Sequence, residues 1–292
     1  MSPPKLDVII VAYRSKHLVH ACLASLYAHP PIPPMEVHVV DNASGDGTIE
    51  MIAEEFPQVR LTAIATNLGF AAANNLAILD SHSEYVLALN PDTEITEGAL
   101  DVLLALMDGH PEIGIAGCRL ERRDGSLDHA ARRSFPTIAG ALGHFLGVGR
   151  RDGAPKALSQ YRATDIASGP VDAVNGAFML MRRSALEEVG LFDEGYWMYM
   201  EDLDLCYRFA RAGWVTWYEP SVTVLHVKAG TSGPIRSARL NYAFHYGMYR
   251  FYRKHYAPQS SAVTNMATYL GIAVKLAVSL IRAELRRAAS RG

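Results

Sequence analysis

Short apolar runs alternate with segments of helical spacing through the first 120 residues. Residues 6–13 form a continuous apolar run rich in β-branched side chains, which predicts a strand buried on both faces. Helical spacing follows at about 15–28 and stops at a proline cluster that begins at Pro30. The alternation recurs, with strands in MEVHVVDN, VRLTAIATN, EYVLAL and IGIAGC and helices near 48–55, 69–81 and 97–107. This order predicts an α/β fold with a mostly parallel central sheet and helices on both faces.

Polar residues follow three of the predicted strands at the points where the strands end. The three clusters are Asp41 with Asn42, Asn67 with Gly69, and Asn90 with Asp92. Turn chemistry explains any one of them, because Asp, Asn and Gly are common turn residues. Ligands of such sheets bind at the carboxyl ends of the strands, so three successive clusters indicate a shared cleft.

A later segment, YWMYMEDLDLCYRF, concentrates three carboxylates among apolar and aromatic residues. Its spacing predicts a helix over about 201–212, with Glu201, Asp202 and Asp204 in the first turn. Buried carboxylates are costly unless they are paired, bound to a metal or used chemically. Asp204 and Arg208 have the i,i+4 spacing of a helical ion pair, which accounts for part of the charge.

The composition narrows the class of protein. The chain has 292 residues, of which 49% are hydrophobic and 20% charged, as in a soluble globular protein with a sizeable core. Its net charge of −2 argues against a nucleic-acid partner. The first strand is not followed by GxGxxG, and no GxxxxGK motif occurs, which argues against a dinucleotide oxidoreductase and a P-loop enzyme.

The three cysteines and the amino terminus both point to the cytoplasm. Cys22, Cys118 and Cys206 are far apart, have apolar neighbours and fit no zinc or redox spacing, as expected of reduced, packed thiols. The amino-terminal sequence MSPPKLDVIIVAYRS has a brief apolar run that predicts a strand and not a signal peptide.

The carboxyl-terminal part of the chain is basic and partly apolar. Residues 236–292 contain ten Lys or Arg and one acid, a net charge of +9, which leaves −11 for residues 1–235. Residues 263–281 are strongly apolar, and their polar positions form one stripe on a helix: Thr264, Thr268, Lys275, Ser279, Arg282 and Arg286. The stripe argues against a lone spanning helix. It leaves open an amphipathic helix on an anionic membrane surface and a helix docked on the protein body or in a homodimer interface.

Seven motifs together resemble the family 2 glycosyltransferases, and most closely their rhamnosyltransferase-like branch. In order they are VIIVAYRS, VVDNASGDGT, NLGFAAANN, LALNPDTE, VNGAFMLMRR, YMEDLDLCYR and VLHVKAGTSG, spread over residues 6–233. The resemblance implies a GT-A fold, in which a nucleotide-binding α/β half is joined to an acceptor-binding half. It also implies sugar transfer with inversion at the anomeric carbon, usually with a divalent metal.

On this resemblance we expect three parts in a single GT-A domain with a tail. Residues 1–118 form the nucleotide-sugar-binding half, residues 119–235 the acceptor-binding half with the ED motif, and residues 236–292 the basic, aromatic and amphipathic carboxyl-terminal helices. We expect two stretches, DHAARRSFP and GVGRRDGAP, to be mobile loops over the acceptor site.

The resemblance also implies a donor pocket. Ala12, Tyr13 and Asp41 would hold the nucleotide base and ribose, since a carboxylate can accept a hydrogen bond from the imide N–H of uracil or thymine. Asn67 and Gly69 would line the same pocket, where glycine permits close backbone approach.

The NPD sequence stands where the family usually has Asp-x-Asp. Asp92 would hold Mg²⁺ or Mn²⁺, cations that prefer oxygen ligands, beside the donor diphosphate. Asn90 replaces the first acid with a neutral amide and reduces the negative charge of the donor site. His226 matches a metal-ligating histidine of some members, and a strand-end histidine bonded to the backbone is the alternative.

For catalysis, the family places its base on the aspartate of the ED motif. We therefore expect Asp202 to deprotonate the acceptor hydroxyl and Glu201 to orient the acceptor or the base, with Asp204 structural. Acceptor-binding residues would be Asn175 and Gly176 at the floor of the cleft and Trp197 and Tyr199 as a sugar-stacking platform; core packing explains the two aromatic residues equally well.

The function that follows is an inverting, metal-dependent transfer of L-rhamnose from dTDP-L-rhamnose. We expect the acceptor to be a hydroxyl of a lipid-linked saccharide in cell-envelope polysaccharide assembly, and the enzyme to be cytoplasmic, with peripheral contact to the inner face of the membrane. Two alternatives are a UDP-hexose donor and a non-catalytic sugar-nucleotide-binding protein. Asn90 favours the non-catalytic alternative, and the intact ED pair disfavours it.

Overall fold

A computed structural model describes residues 4–136, 167–227 and 237–289, with the side chains of 286–289 excepted, and it has the expected α/β architecture. The strands are β1 Leu6–Ala12, β2 Met35–Asn42, β3 Arg60–Ile64, β4 Tyr85–Leu89, β5 Thr93–Glu94, β6 Ile113–Glu121, β7 Arg132–Arg133, β8 Gly169–Pro170, β9 Ala173–Val174, β10 Phe178–Arg182 and β11 Val215–His226. The helices are α1 Lys16–Ala28, α2 Thr48–Glu55, α3 Phe70–Leu79, α4 Ala99–Gly109, α5 Arg183–Val189, α6 Glu201–Arg211, α7 Ala238–His255 and α8 Ala262–Ala289.

One mixed sheet runs through both halves of the chain in the order β3-β2-β1-β4-β10-β6-β11-β5, and β8 pairs with β11. The four strands from β3 to β4 are parallel, so their carboxyl ends lie along one edge. β10 runs antiparallel to both β4 and β6, and β11 runs parallel to β6. The prediction of a mostly parallel sheet flanked by helices is confirmed.

Alternate residues of β1 face two hydrophobic layers. Val8 and Ile10 pack in one layer with Leu23 of α1, while Ile9 packs in the other with Phe209 of α6. Burial on both faces explains why the β1 sequence is continuously apolar instead of alternating. β3 differs, because it is the edge strand and most of its residues are partly or fully exposed.

The segment expected to be a mobile loop is built into the fold over its described part. Asp128 and Ala131 are buried, and β7 pairs antiparallel with β9 in a separate two-stranded sheet. The prediction of a mobile loop is therefore wrong for residues 128–136, because backbone pairing and burial hold them. The second such stretch, GVGRRDGAP, lies outside the described residues.

The two carboxyl-terminal helices pack on each other. Tyr252 of α7 donates a hydrogen bond to Asn265 of α8 at 2.7 Å, and Ser279 of the predicted polar stripe donates to Asn241 of α7 at 2.9 Å. The opposite side of α8 exposes apolar side chains at helical spacing, namely Val263, Met266, Leu270, Val274, Val278, Ile281 and Leu285. By length and composition, Ala262–Leu285 could also cross a membrane.

Candidate active site

The ends of β1 and β2 form the first wall of the cleft. Their parallel register places Ala12 beside Asp41. Asp41 is buried; its Oδ2 accepts a hydrogen bond from the Ser44 amide at 3.1 Å, and its Oδ1 has no partner among the described residues. Tyr13 follows Ala12, is half-buried and lies under the Arg14 guanidinium, 5.3 Å from the ring centre. One carboxylate oxygen of Asp41 thus supports the turn, and the other retains the capacity to accept a hydrogen bond from a ligand.

The turn after β3 is held by Asn42, a residue that sequence analysis grouped with Asp41 without a role of its own. Its side chain donates to the Gly69 carbonyl at 3.0 Å and accepts from the Leu68 amide at 2.8 Å, while Asn67 accepts from the Gly69 amide at 2.9 Å. Gly69 has φ of +88°, and a Cβ there would lie 2.1 Å from the Trp197 carbonyl oxygen. The glycine is required by close contact with this second chain segment, and its approach to the donor stays a prediction.

Antiparallel pairing of β5 with β11 brings Asp92 next to His226. His226 Nε2 lies 3.4 Å from Asp92 Oδ1, and His226 Nδ1 lies 2.9 Å from Asp128 Oδ2; all three side chains are buried. Burial lowers the pKa of His226, but hydrogen bonds with Asp128 and Asp92 outweigh it and raise that pKa to about 9. Asp92 and Asp128 therefore favour positive charge at the position of His226.

These residues fit a divalent cation. Carboxylate oxygen and imidazole nitrogen are both ligands of Mn²⁺-type ions, and a metal-bound histidine usually donates its second N–H to a carboxylate, as His226 can to Asp128. Asp128 was missed by sequence reasoning, because it is an isolated acid in a stretch without clear periodicity. Asn90 lies at the same edge, where its backbone amide donates to the Ala177 carbonyl at 2.9 Å.

A second group with metal-ligand chemistry lies at the opposite end of the sheet. Ligand atoms of Asp7, Glu36 and His38 lie within 4.8 Å of one another near the amino ends of β1 and β2. Asp7 already accepts hydrogen bonds from the amides of His82 and Ser83 at 3.1 and 3.0 Å. This group joins the start of β1 to the turn before β4 and is remote from the cleft.

The first turn of α6 supplies the carboxylates that face the cleft. Asp202 Oδ2 accepts from the Gly176 amide at 3.0 Å and pairs with the guanidinium of Arg133. Glu201 is buried, and its Oε2 has no hydrogen-bond partner among the described residues. Burial first, and the Asp202 charge second, raise the pKa of Glu201 to about 8.

Asp204 faces the opposite direction, toward α7. It is fully buried and is bound by Arg208, Lys254 and His255, with Tyr196 donating at 3.2 Å. Burial raises its pKa, but the hydrogen bonds and charges of these partners prevail and hold it well below the usual range. The predicted i,i+4 pair with Arg208 is present, with a distance of 2.8 Å between Nε and Oδ2.

The segment 175–177 connects the groups described so far. Gly176 contacts Asp202 and Ala177 contacts Asn90, so the α6 carboxylates and the NPD turn border the same floor.

Comparison of the sequence with protein families identifies the family of this chain. The profile of Glycosyl transferase family 2 matches residues 7–190, more than half of the chain. The chain belongs to glycosyltransferase family 2.

Individual relatives agree with the family. The glycosyltransferase is 35% identical over 240 residues, 78% of each chain, to N-acetylglucosaminyl-diphospho-decaprenol L-rhamnosyltransferase of Mycobacterium tuberculosis. It is 31% identical over 166 residues to rhamnosyltransferase WbbL of Escherichia coli K12, covering 54% of this chain and 60% of that protein. The resemblance inferred from the motifs is confirmed.

Solved structures share the GT-A fold with this glycosyltransferase. The mannosyltransferase PcManGT from Pyrobaculum calidifontis, in complex with GDP-Man and Mn²⁺, superposes with a TM-score of 0.60 at 19% identity, covering 100% of this chain and 77% of that one. GalNAc-T7 with UDP, GalNAc and Mn²⁺ superposes with a TM-score of 0.62 at 14% identity, covering 86% and 48%. At these identities the likeness concerns the fold alone.

Within the glycosyltransferase, the expected acceptor residues are strongly engaged by the protein itself. Trp197 lies under the guanidinium of Arg239, 3.8 Å from the ring centre, and its Nε1 donates to the Asn67 carbonyl at 3.4 Å. Tyr199 has φ of +70° and packs edge-on against Phe244 of α7. These contacts give both aromatic residues a packing role between the cleft and α7.

Asn175 is also occupied. Its amide nitrogen donates to the Ala130 carbonyl at 3.2 Å, and its amide oxygen accepts from the Ala177 backbone at 2.9 Å. Its side chain therefore fixes the floor segment to the residues that follow Asp128. Arg133 also lies at this floor, where its guanidinium pairs with Asp202.

Proposed function

We propose that this glycosyltransferase transfers L-rhamnose, with inversion, from dTDP-L-rhamnose to a hydroxyl of a lipid-linked saccharide in cell-envelope polysaccharide assembly. The carrying observation is the 35% identity, over 78% of both chains, to a mycobacterial enzyme named for rhamnosyl transfer to N-acetylglucosaminyl-diphospho-decaprenol. A second relative is also named as a rhamnosyltransferase. We place the reaction in the cytoplasm, on the inner face of the membrane.

In this proposal Asp41 binds the nucleobase through a hydrogen bond. Its Oδ1 is buried and lacks a hydrogen-bond partner among the described residues, so an imide N–H of thymine would remove an unsatisfied acceptor. Ala12 and Tyr13 border the base on the β1 side. Asn67 and Asn90 border the rest of the donor from the two neighbouring turns.

Asp202 is the proposed base. It takes the proton of the acceptor hydroxyl as that oxygen bonds to the anomeric carbon, and the bond from this carbon to the nucleotide diphosphate breaks, with the electron pair leaving on the diphosphate. The Gly176 amide supports this role because it fixes Asp202 Oδ2 at the floor of the cleft. Glu201 stands beside the base as an orienting residue.

Asp92 and His226 would hold the divalent cation, Mg²⁺ or Mn²⁺. When bound, the cation supplies positive charge that stabilises the departing diphosphate. Asp128 fixes the His226 tautomer through Nδ1, so that Nε2 faces Asp92. Asn90 offers a neutral amide in place of a second acid.

The donor assignment can be tested by thermal melting with dTDP, UDP and GDP and their sugars, each with and without Mg²⁺ or Mn²⁺. A ligand that binds the folded state raises Tm, so dTDP-L-rhamnose with metal is expected to give the largest shift. Asp41→Asn is expected to remove the shift, and Asp46→Asn, at an exposed turn nearby, to retain it. A larger shift with UDP-sugars would instead favour a UDP-hexose donor.

We further propose that α8 lies along the membrane that carries the acceptor. Its outward stripe is aliphatic, the adjoining surface of α7 exposes Tyr242 and Tyr246, and residues 236–292 carry a net charge of +9. An apolar stripe with aromatic and basic neighbours is the composition of an interfacial helix on anionic lipid.

Liposome flotation tests the membrane proposal with two matched leucines. Leu270 on α8 and Leu79 on α3 are 64% and 70% exposed. Leu270→Glu is expected to reduce flotation with phosphatidylglycerol vesicles at least tenfold, while Leu79→Glu floats as the parent protein does. Equal flotation of all three proteins would contradict the proposal that α8 lies along the membrane. The proposal would also be contradicted if the parent protein were a dimer and only Leu270→Glu dissociated it.

A further inference from the structure

The ion pair between Arg133 and Asp202 places a guanidinium directly on the proposed base. Arg133 is the outer member, with 19% of its side chain exposed against 9% for Asp202. Its position comes from β7, whose Arg133 pairs with Ala173 of β9, and its side chain also donates to the Val174 carbonyl at 3.3 Å. Backbone pairing of β7 with β9 therefore sets where the guanidinium meets the base.

Asp202 does not depend on Arg133 for its position. The Gly176 amide donates to Oδ2 at 3.0 Å, and the Leu203 amide lies 2.7 Å from Oδ1. The Arg133 guanidinium occupies Oδ2 of Asp202, an oxygen that the acceptor hydroxyl must approach to give up its proton. Efficient proton transfer requires this pair to loosen when the acceptor is present.

We propose that Arg133 is the receptor for a phosphate group on the acceptor, and that binding this phosphate draws the guanidinium away from Asp202. This inference rests on the proposed function, in which the acceptor sugar is carried on a lipid phosphate. A guanidinium binds phosphate through two parallel hydrogen bonds, so the phosphate offers Arg133 a partner at least as good as the carboxylate.

The cations around α6 are divided between its carboxylates. Asp204 is paired with Arg208, Lys254 and His255 on the side that faces α7. Among the described residues, Arg133 is the cation whose ion pair with Asp202 is observed. Its departure frees Oδ2 of Asp202 to accept the hydrogen bond of the acceptor hydroxyl. The base therefore becomes available when the acceptor that carries a phosphate is bound.

The test compares two acceptors that share one sugar. One is N-acetylglucosamine linked through a diphosphate to a short prenyl chain, and the other is a neutral alkyl glycoside of the same sugar. The parent enzyme is expected to prefer the diphosphate acceptor by about 10- to 100-fold in kcat/KM, the contribution of one to two charge-assisted hydrogen bonds. Arg133→Gln is expected to abolish the preference, because turnover of the diphosphate acceptor falls more than turnover of the neutral one.

Two further variants complete the design. Arg132→Gln is the matched control, because Arg132 lies on the same short strand and stacks 5.2 Å from the Tyr218 ring centre; it should keep the preference. Arg133→Lys keeps the positive charge but lacks the two parallel N–H donors of the guanidinium, so it should show an intermediate preference. This variant provides the test if Arg133→Gln does not fold.

The outcomes separate the two hypotheses. An equal loss on both acceptors in Arg133→Gln would mean that Arg133 only stabilises the fold, and a parent enzyme without any preference would likewise overturn the inference. Rhamnosyl transfer to either acceptor preserves the proposed function in both cases. If neither acceptor receives rhamnose from dTDP-L-rhamnose, the proposed function fails, and the role of Arg133 fails with it.

Discussion

The two sides of α6 treat their carboxylates in opposite ways. Toward α7, Asp204 is fully buried and is bound by Arg208, Lys254, His255 and Tyr196. Toward the cleft, Glu201 is almost as deeply buried, yet its Oε2 lacks a partner among the described residues. Three acids within four positions of one helix thus include one that stabilises the fold and one that costs it stability.

This difference shows how a buried acid can be assigned. Burial alone does not separate Asp204 from Glu201, and neither does position in the helix, because both lie in the first turn. The number of donors does separate them: a fully paired carboxylate has no capacity left for a substrate. An acid that is incompletely paired is tolerated where the site uses it.

The largest effect is expected from Asp202→Asn. The amide keeps the shape and the contact with Gly176 but cannot take the acceptor proton, so kcat is expected to fall by about 10²- to 10⁴-fold. Donor binding, measured by thermal shift, should be unchanged. Full turnover in this variant would remove Asp202 from the mechanism.

On the other side of the helix, Asp204→Asn is expected to act on stability. Removing one partner of a buried ion pair costs about 3–5 kcal/mol, because the cations around it are left uncompensated. Asp193→Asn is the control. Asp193 also pairs with Lys254, but 15% of its side chain is exposed, so its replacement should reduce the free energy of unfolding by less. Urea unfolding at pH 7 measures both.

Acid titration sharpens this prediction. Because the folded pKa of Asp204 is depressed, its contribution is complete above the ordinary aspartate pKa of about 3.9 and is lost as the pH falls through the folded pKa. The gap in stability between the parent protein and Asp204→Asn should therefore narrow at low pH. A gap that does not change with pH would contradict the ionic role.

Asp128→Asn extends the comparison to a paired acid outside α6. Asp128 touches the candidate metal ligand His226 at 2.9 Å and is expected to act through it. Loss of such an outer partner typically lowers metal affinity by about 10- to 100-fold. The Mn²⁺ concentration for half-maximal activity should rise accordingly, and saturating metal should restore much of the rate.

The smallest effect is expected from Glu201→Gln, and it has the opposite sign. The folded pKa of about 8 exceeds the unfolded value of about 4.3, so the parent protein loses stability as the pH rises through this interval. The variant should have the same Tm as the parent protein at pH 5. At pH 8 its Tm should be higher, by about 2–4 °C for each kcal/mol of unfolding free energy that is recovered. A parent protein that is the more stable at pH 8 would refute this.

Sequence reasoning succeeded where the determinants are local. The strands from β1 to β4 and helix α2 follow from apolar runs and turn residues, and the Asp204–Arg208 pair follows from helical spacing. The clusters at the ends of the parallel strands were placed at one edge by a rule of topology. Roles assigned to individual site residues remain predictions.

Contacts between distant segments could not be predicted in this way. Asp128 meets His226, and Arg133 meets Asp202, through pairings of the short strands β5, β7 and β9. Two-residue strands have no periodicity to recognise. The same limit explains why residues 128–136 were expected to be mobile, although their order comes from partners far along the chain.

The position of β11 makes the candidate metal site depend on a long stretch of the chain. Asp92 precedes β5 early in the chain, whereas His226 ends β11, which is inserted between β6 and β5. During synthesis, the two candidate ligands can therefore meet only after residues 92 to 226 have been made and β11 has entered the sheet.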